Sequence, residues 1–283
     1  MKLRSLLFVP GDRPDRFAKA AASGADAIII DLEDSVALDR KVAAREAAAE
    51  YLSGDRPVPV FVRVNPQDSH LTHDDLASVL PYMPDGLLLP KAEGARSVHW
   101  LRAEAAAVAD SQDGEAPPIL PIATETPGAV FDLGSLREAA LYLAGVSWGA
   151  EDLPAAIGAA TAREPDGSYT APYEMVRSLT LFAAHAAGVT AIDTVFPNIS
   201  DAAGLSAYVA RAARDGFNGM LAIHPSQVAV INAGFTPSPA QLAHAQSIVD
   251  AFAANPEAGV LQIGGKMIDA PHLKAALSIL KRV

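Results

Sequence analysis

No cysteine occurs among the 283 residues, which excludes disulfides, thiolate nucleophiles and thiolate-held zinc. Basic residues are scarce: 22 Lys and Arg stand against 33 Asp and Glu, a net charge of −11. That balance argues against nucleic-acid binding and against an anionic membrane surface, while leaving room for a local anion site. No apolar run approaches the roughly 20 residues needed to span a bilayer, and the N-terminus lacks a signal-peptide layout. A soluble, cytoplasmic protein is the expectation. Low-complexity tracts and sequence repeats are also missing. What remains is a chain that is half apolar and only 19% charged, enough to bury a sizeable core and too apolar for extensive disorder.

Short apolar runs alternate with Ala-rich segments of helical period. The predicted strands are Leu3–Val9, Ala27–Ile30, Val58–Val64, Gly86–Leu89, Ile119–Ala123, Leu141–Val146, Ala191–Val195 and Met220–Ile223. The predicted helices are Arg16–Ser23, Lys41–Leu52, Asp74–Leu80, Val98–Val108, Tyr173–Ala187 and Ala202–Asp215. Eight strands alternating with helices predict a closed (β/α)8 barrel of the TIM type over residues 1–235. Residues 236–283 are expected to form a C-terminal helical extension and lid. A doubly wound open sheet would be favoured by a Gly-rich dinucleotide fingerprint after the first strand, and Val9–Pro14 is not one. Pro154–Ala171 reads as a loop that interrupts the alternation.

In such barrels the site lies at the C-terminal ends of the strands. There the sequence places Asp12 and Arg13, then Asp31, Glu33 and Asp34, then Arg63 and Asn65, Lys91, Glu125, Glu151 and Asp152, and His224. Strand ends need turn residues but not Arg, Lys and several carboxylates, so a site is expected on this rim. Two carboxylates from different strands suit a hard cation such as Mg2+, whose octahedral oxygen shell keeps open positions. Glu125 and Asp152, on adjacent strands, are the expected ligands, with Glu33 and Asp34 behind them holding waters on the ion. The alternatives are a helix cap at Glu125 and an acidic capping turn at Asp31–Asp34. Arg63 leaves a buried strand and needs an anion, either a substrate carboxylate or enolate oxygen, or one of the acids. His224 reads as holding its loop, and His70, His73 and His185 as surface or packing residues. Residues 1–19 carry Lys2, Arg4, Arg13, Arg16 and Lys19 against Asp12 and Asp15, a local basic excess where a phosphorylated cofactor would lie.

Leu6–Pro14 with Arg16–Ala20, Gly24–Val36, Phe61–Asn65, Leu89–Lys91, Glu125–Pro127, Trp148–Leu153 and Ile223–Gln227 together resemble the citrate lyase β-subunit family. That family belongs to the HpcH/HpaI aldolases, alongside malyl-CoA and citramalyl-CoA lyases. The motifs run in order along almost the whole chain. The resemblance implies a (β/α)8 barrel, Mg2+ on Glu125 and Asp152, a substrate contact at Arg63, and an acyl-CoA or acyl-carrier thioester. The basic first segment, Arg13 and Lys19 in particular, then acquires a role with the thioester's phosphates. The implied reaction is a Mg2+-dependent carbon–carbon lyase cleavage of a 3-hydroxyacyl-CoA (citryl-, malyl- or citramalyl-CoA) to a 2-oxo acid and acetyl-CoA.

Gly264–His272 matches a C-terminal motif that in some members swings over a neighbouring subunit's site, with an aspartate at the place of Asp269 moving the proton. This implies a homotrimer or higher homo-oligomer. Read locally, Gly264-Gly265 is a hinge, Pro271 opens a helix, and Asp269 caps it. Other readings of the same scaffold are a thioester hydrolase, a carrier-dependent subunit acting with other citrate lyase subunits, and an aldolase on free acids.

Overall fold

Eight apolar segments lie side by side as parallel strands in the computed structural model, which describes residues 1–109 and 116–282. They are β1 (Ser5–Pro10), β2 (Ala27–Asp31), β3 (Val60–Arg63), β4 (Gly86–Leu89), β5 (Ile119–Pro121), β6 (Gly145–Val146), β7 (Thr190–Asp193) and β8 (Gly219–Ala222). Their order is β5-β4-β3-β2-β1-β8-β7-β6. Parallel bridges Ile119↔Leu143 and Ile122↔Ser147 join the two ends, so the sheet is an eight-stranded, nearly closed barrel, as the alternation predicts. Alternate strand residues, among them Leu6, Ile29, Phe61, Leu88, Leu120, Ile192 and Leu221, point inward and fill the barrel. Their neighbours face the helices, so both sides of each strand are buried and the runs are apolar throughout.

Among the described residues of the barrel the α-helices, in chain order, are α1 (Phe17–Ala21), α2 (Lys41–Ser53), α3 (Thr72–Val79), α4 (Gly94–Ala109), α5 (Pro127–Asp132), α6 (Asp152–Ile157), α7 (Ala171–Ala187), α8 (Ala202–Asp215) and α9 (Pro225–Phe235). Two expected element bounds in the barrel need correction. The predicted strand Leu141–Val146 shrinks to Gly145–Val146, because a 3-10 helix over Leu133–Tyr142 takes the front of the run, burying Leu136 and exposing Leu141. The expected loop Pro154–Ala171 begins inside α6. Its Pro154 sits in the first turn, where a missing N–H costs nothing, and Gly158 at φ +69° ends the helix.

One glycine is imposed by the closeness of β1 and β8. A Cβ on Gly219 would lie 1.8 Å from the carbonyl oxygen of Leu3, inside the backbone itself, so nothing flexible can yield. Gly219→Ala is therefore expected to cost about 1–3 kcal/mol or more, as overpacking does. A urea titration checks it: the midpoint falls, and an unchanged midpoint refutes the packing argument.

The chain divides into two compact units, Met1–Asn232 and Ala233–Val283. In the second, α10 (Pro239–Ala254) starts in a capping box, Ser238 Oγ accepting from Gln241 N at 3.2 Å while Ser238 N donates to Gln241 Oε1 at 2.8 Å. A hairpin of β9 (Val260–Ile263) and β10 (Lys266–Asp269) follows, then α11 (Ala270–Leu280). Ala245, Ile248, Ile268 and Ala276 form the core of this unit. Gly264 and Gly265, at φ +56° and +78°, are the two-residue turn of that hairpin rather than a hinge; a turn with both central residues left-handed matches the strand twist and favours glycine at both.

Candidate active site

The rim is built outward from one register. β2 and β3 pair so that Asp31 stands opposite Arg63. Arg63 Nε and Nη2 accordingly donate to the two Asp31 oxygens at 2.7 and 2.6 Å. Burial alone would raise the Asp31 carboxyl, but the guanidinium outweighs it and holds the group below the usual carboxylate range. Asp31 also accepts N–H bonds from Glu33 and Ser35, so it shapes the turn after β2 and caps no helix. The anion that Arg63 needs is thus, in the first place, Asp31. Its Nη1 lies 2.9 Å from Glu33 Oε2, and its plane stacks 4.8 Å from the Phe8 ring.

Lys41 on α2 fixes the same turn from beneath. Its buried ammonium donates to the carbonyls of Leu32 and Glu33 at 2.6 and 2.8 Å and to Asn65 Oδ1 at 2.8 Å. Glu33, 3% exposed, reaches across to Lys91 Nζ at 2.5 Å. Lys91 follows β4 with φ +51°, a left-handed backbone that a lysine adopts only under constraint. The constraint is visible: its N–H donates to Glu125 Oε2 at 2.5 Å, while Nζ lies 3.9 Å from Asp152 and 4.0 Å from Asp34. Lys91 was legible only as a charge ending the run Leu89-Pro90-Lys91; its part as the hub of four carboxylates was not.

Glu125 comes up from β5. The cap of α5 is its neighbour, since Thr126 Oγ1 accepts from Ala129 N at 3.2 Å. That overturns the capping alternative for Glu125. The carboxyl is 5% exposed and packs on Gly149, where a Cβ would come within 2.5 Å of Glu125 Cγ. Burial first, then the charges of Asp152 and Glu33, push it up to about 8, against the Lys91 N–H bond. Thr124 Oγ1 receives the Gly149 N–H at 3.1 Å, and three residues further on Asp152 opens α6.

These groups share a cavity of about 320 Å³ lined by Asp31, Asp34, Arg63, Glu125, Trp148, Glu151 and Asp152, with Phe8, Ile122 and Leu221 as apolar walls. Of the basic first segment, Arg4 is bound by Asp26 and Arg13 by Asp15, at 3.0 Å on the surface. Lys19 instead lines a second cavity of about 330 Å³ with Arg16 and His224. His224 Nδ1 sits 2.8 Å from Ser226 Oγ, holding its own turn as expected. Asp269 lies in the other unit, at the head of α11, with Oδ1 2.5 Å from His272 Nδ1, a bond that lowers its carboxyl.

The profile of the HpcH/HpaI aldolase/citrate lyase family matches residues 4–225. This chain belongs to that family. The citrate lyase subunit beta-like protein of Mycobacterium tuberculosis H37Rv is 37% identical over 277 residues, covering 98% of this chain and 94% of the relative. Human mitochondrial citramalyl-CoA lyase is 31% identical over 287 residues, 96% of this chain and 83% of the relative. Among solved structures, the CitE protein of M. tuberculosis in complex with magnesium, acetoacetate and coenzyme A superposes with a TM-score of 0.82. Its identity is 35%, over 99% of this chain and 97% of that one.

In this HpcH/HpaI chain the donor set itself asks for a cation. Asp31, Glu33 and Glu125 are buried beside Arg63 and the half-buried Lys91, while Asp34, Glu151 and Asp152 stand at the open mouth of the cavity; three buried carboxyls against two cations leave one without a countercharge, which is costly. Among the described residues no three His, Asp or Glu side chains form a ready-made cage. An oxygen-seeking ion that takes one or two carboxylates and completes its shell elsewhere therefore fits, and a fully enclosed one does not. No helix among the described residues is long and apolar enough to cross a membrane.

Proposed function

We propose that this chain is a Mg2+-dependent carbon–carbon lyase that cleaves a 3-hydroxyacyl-CoA to a 2-oxo acid and acetyl-CoA, with Glu125 and Asp152 holding the ion. The observation that carries the reading is Glu125: a buried carboxyl, pushed up to about 8 beside two further acids, on the wall of a cavity large enough for a small acid. The magnesium, acetoacetate and coenzyme A of the M. tuberculosis protein and the activity named for the human relative support the same substrate class. When bound, Mg2+ supplies a Lewis acid and a template for the oxygens of the hydroxy acid.

The side chains divide the remaining work. Asp31 takes two of the five N–H groups of Arg63 in hydrogen bonds and Glu33 lies beside Nη1 as an ion-pair partner at 2.9 Å, which leaves N–H groups of the fork for the substrate's carboxylate. Phe8, Ile122 and Leu221 exclude water from the thioester enolate left when the C2–C3 bond breaks. Arg16 and Lys19, together in the second cavity, suit the phosphates of the thioester better than Arg13, which Asp15 engages. Asp269, given by a neighbouring copy in a homo-oligomer, moves the final proton to or from the enolate carbon. Residues 1–235 would then be the catalytic domain, and 236–283 the extension that reaches the neighbour.

A thioester panel with Mg2+, read by mass spectrometry for both product halves, tests this. An oxo acid with acetyl-CoA is expected. Free CoA without acetyl-CoA would make the chain a hydrolase, and turnover only on addition of other subunits would make it a carrier-dependent component. The position of Glu125 adds a pH dependence. Below about 8 the ion must displace a proton, so apparent Mg2+ affinity rises about tenfold per pH unit towards 8 and then levels. Because the folded carboxyl titrates above its unfolded value, the ion-free protein is more stable at pH 5 than at pH 9 on this group's account. Melting curves of wild type and Glu125→Gln check the sign: only wild type loses this increment, and Mg2+ restores it most at high pH.

A further inference from the structure

β7 ends in a carboxylate that the reaction does not use. Ile192 points into the barrel, so its neighbour Asp193 points outward, between the strands and α7 and α8, with no exposed surface at all. Five hydrogen bonds converge on it. Oδ1 accepts from Trp148 Nε1 at 2.7 Å, from Tyr208 OH at 2.9 Å and from Thr194 N at 2.9 Å. Oδ2 accepts from Arg177 Nε and Nη2 at 3.0 and 2.8 Å, and Arg177 Nη1 continues to Asp215 at 2.8 Å. A carboxylate offers about four lone-pair sites, so the group is saturated and its charge is paired. Burying an ion pair is poor economy for stability alone, since packed apolar groups of the same volume serve as well or better. Two of the five donors belong to the active-site rim: Trp148 and Thr194 both line the cavity of Glu125 and Asp152.

Trp148 stands four residues before Asp152. Between them Gly149 packs on Glu125 and its N–H donates to Thr124, so the segment that delivers Asp152 is anchored at its start, where Trp148 reaches the outer face of β7. The indole is wedged edge-on against Tyr169 at 5.1 Å, a contact that fixes its plane but not its depth. The Nε1–H bond to Asp193 fixes the depth. We propose that Asp193 is a positioning residue: through Trp148 and Thr194 it sets the distance of the Gly149–Asp152 segment from Glu125, and so the spacing of the carboxylates that take the divalent ion. The inference rests on the reading of Glu125 and Asp152 as ion holders.

The test titrates the full chain with Mg2+ by calorimetry and measures hydrogen exchange of the Gly149–Leu153 amides in the same samples. Trp148→Phe keeps a ring but removes the donor together with part of the buried indole's volume; Asp193→Ala removes the acceptor; Asp193→Asn retains one and leaves the indole in place. Glu174→Gln is the control. It breaks the Glu174–Arg211 pair between α7 and α8 without touching Asp193. Trp148→Phe and Asp193→Ala are expected to weaken Mg2+ binding about tenfold or more and to speed exchange in the segment. Asp193→Asn should fall between them and wild type, while Glu174→Gln lowers only the melting temperature. Wild-type affinity and exchange in Trp148→Phe overturn the proposal even if Asp193→Ala does not fold, and so does an equal loss in Glu174→Gln. If wild type itself takes no Mg2+, the ion reading fails alone, and exchange still decides the positioning role.

Discussion

Glu125→Gln and Asp152→Asn are each expected to lower thioester cleavage by about a thousandfold, the loss of about 4 kcal/mol of transition-state stabilisation. Both substitutions keep the shape of the side chain and remove the charge. In Glu125→Gln the amide oxygen still accepts the Lys91 N–H that Glu125 Oε2 accepts at 2.5 Å, so the left-handed turn at Lys91 is preserved and the fold with it. Melting temperature in the ion-free protein should therefore hold at neutral pH, where the carboxyl is already largely protonated, and rise above about pH 8, where Gln removes a buried charge crowded by Asp152 and Glu33. Calorimetry should show Mg2+ binding lost or weakened by orders of magnitude. Undiminished Mg2+ dependence in both variants would place the ion elsewhere on the rim.

Asp269→Ala is the second large effect, about 10²- to 10⁴-fold in turnover, the range of a general acid or base. Unlike the first pair it should leave Mg2+ affinity intact. Asp269 belongs to a different compact unit from Glu125, and its bond to His272 lowers its carboxyl, so at neutral pH it begins as a proton acceptor. The decisive form of the experiment mixes two inactive proteins. Asp269→Ala supplies an intact ion site and Glu125→Gln supplies an intact Asp269; co-refolded, they should recover a substantial part of the activity if one copy serves another's site. No recovery, with hybrid oligomers verified by mass spectrometry, would confine Asp269 to its own chain. Wild-type rates in Asp269→Ala would return it to capping α11.

The barrel was legible because its signals are local. Each run such as Ala27–Ile30 or Gly86–Leu89 is apolar on both faces, and each is followed by a helical segment, as at Lys41–Leu52. Two local signals overlap at Leu141–Leu143, which is apolar enough for a strand yet closes and caps a 3-10 helix whose buried positions are Leu133, Leu136 and Ala139. At the site, the residue types on the rim were also readable, since Asp31, Arg63, Glu125 and Asp152 interrupt runs that are otherwise apolar. Their partners were not. Arg63 as a free fork and Arg63 clasped by Asp31 are the same in sequence, and only the β2–β3 register tells them apart.

The sequence by itself therefore determined the repeating strand–helix architecture, the end of the barrel at which chemistry gathers, the carboxylate-rich character of that end, and the family. Tertiary structure decided who pairs with whom. It turned Lys91 into the hub between Glu33 and Glu125, released Glu125 from the cap by giving that task to Thr126, and engaged Arg13 with Asp15 while bringing Arg16 and Lys19 to one cavity. It also joined Trp148 to Asp193, 45 residues apart. The physical reason is range: apolar period and turn chemistry act over a few residues, whereas a hydrogen bond of under 3 Å exists only once closure of the sheet has set the register of distant strands.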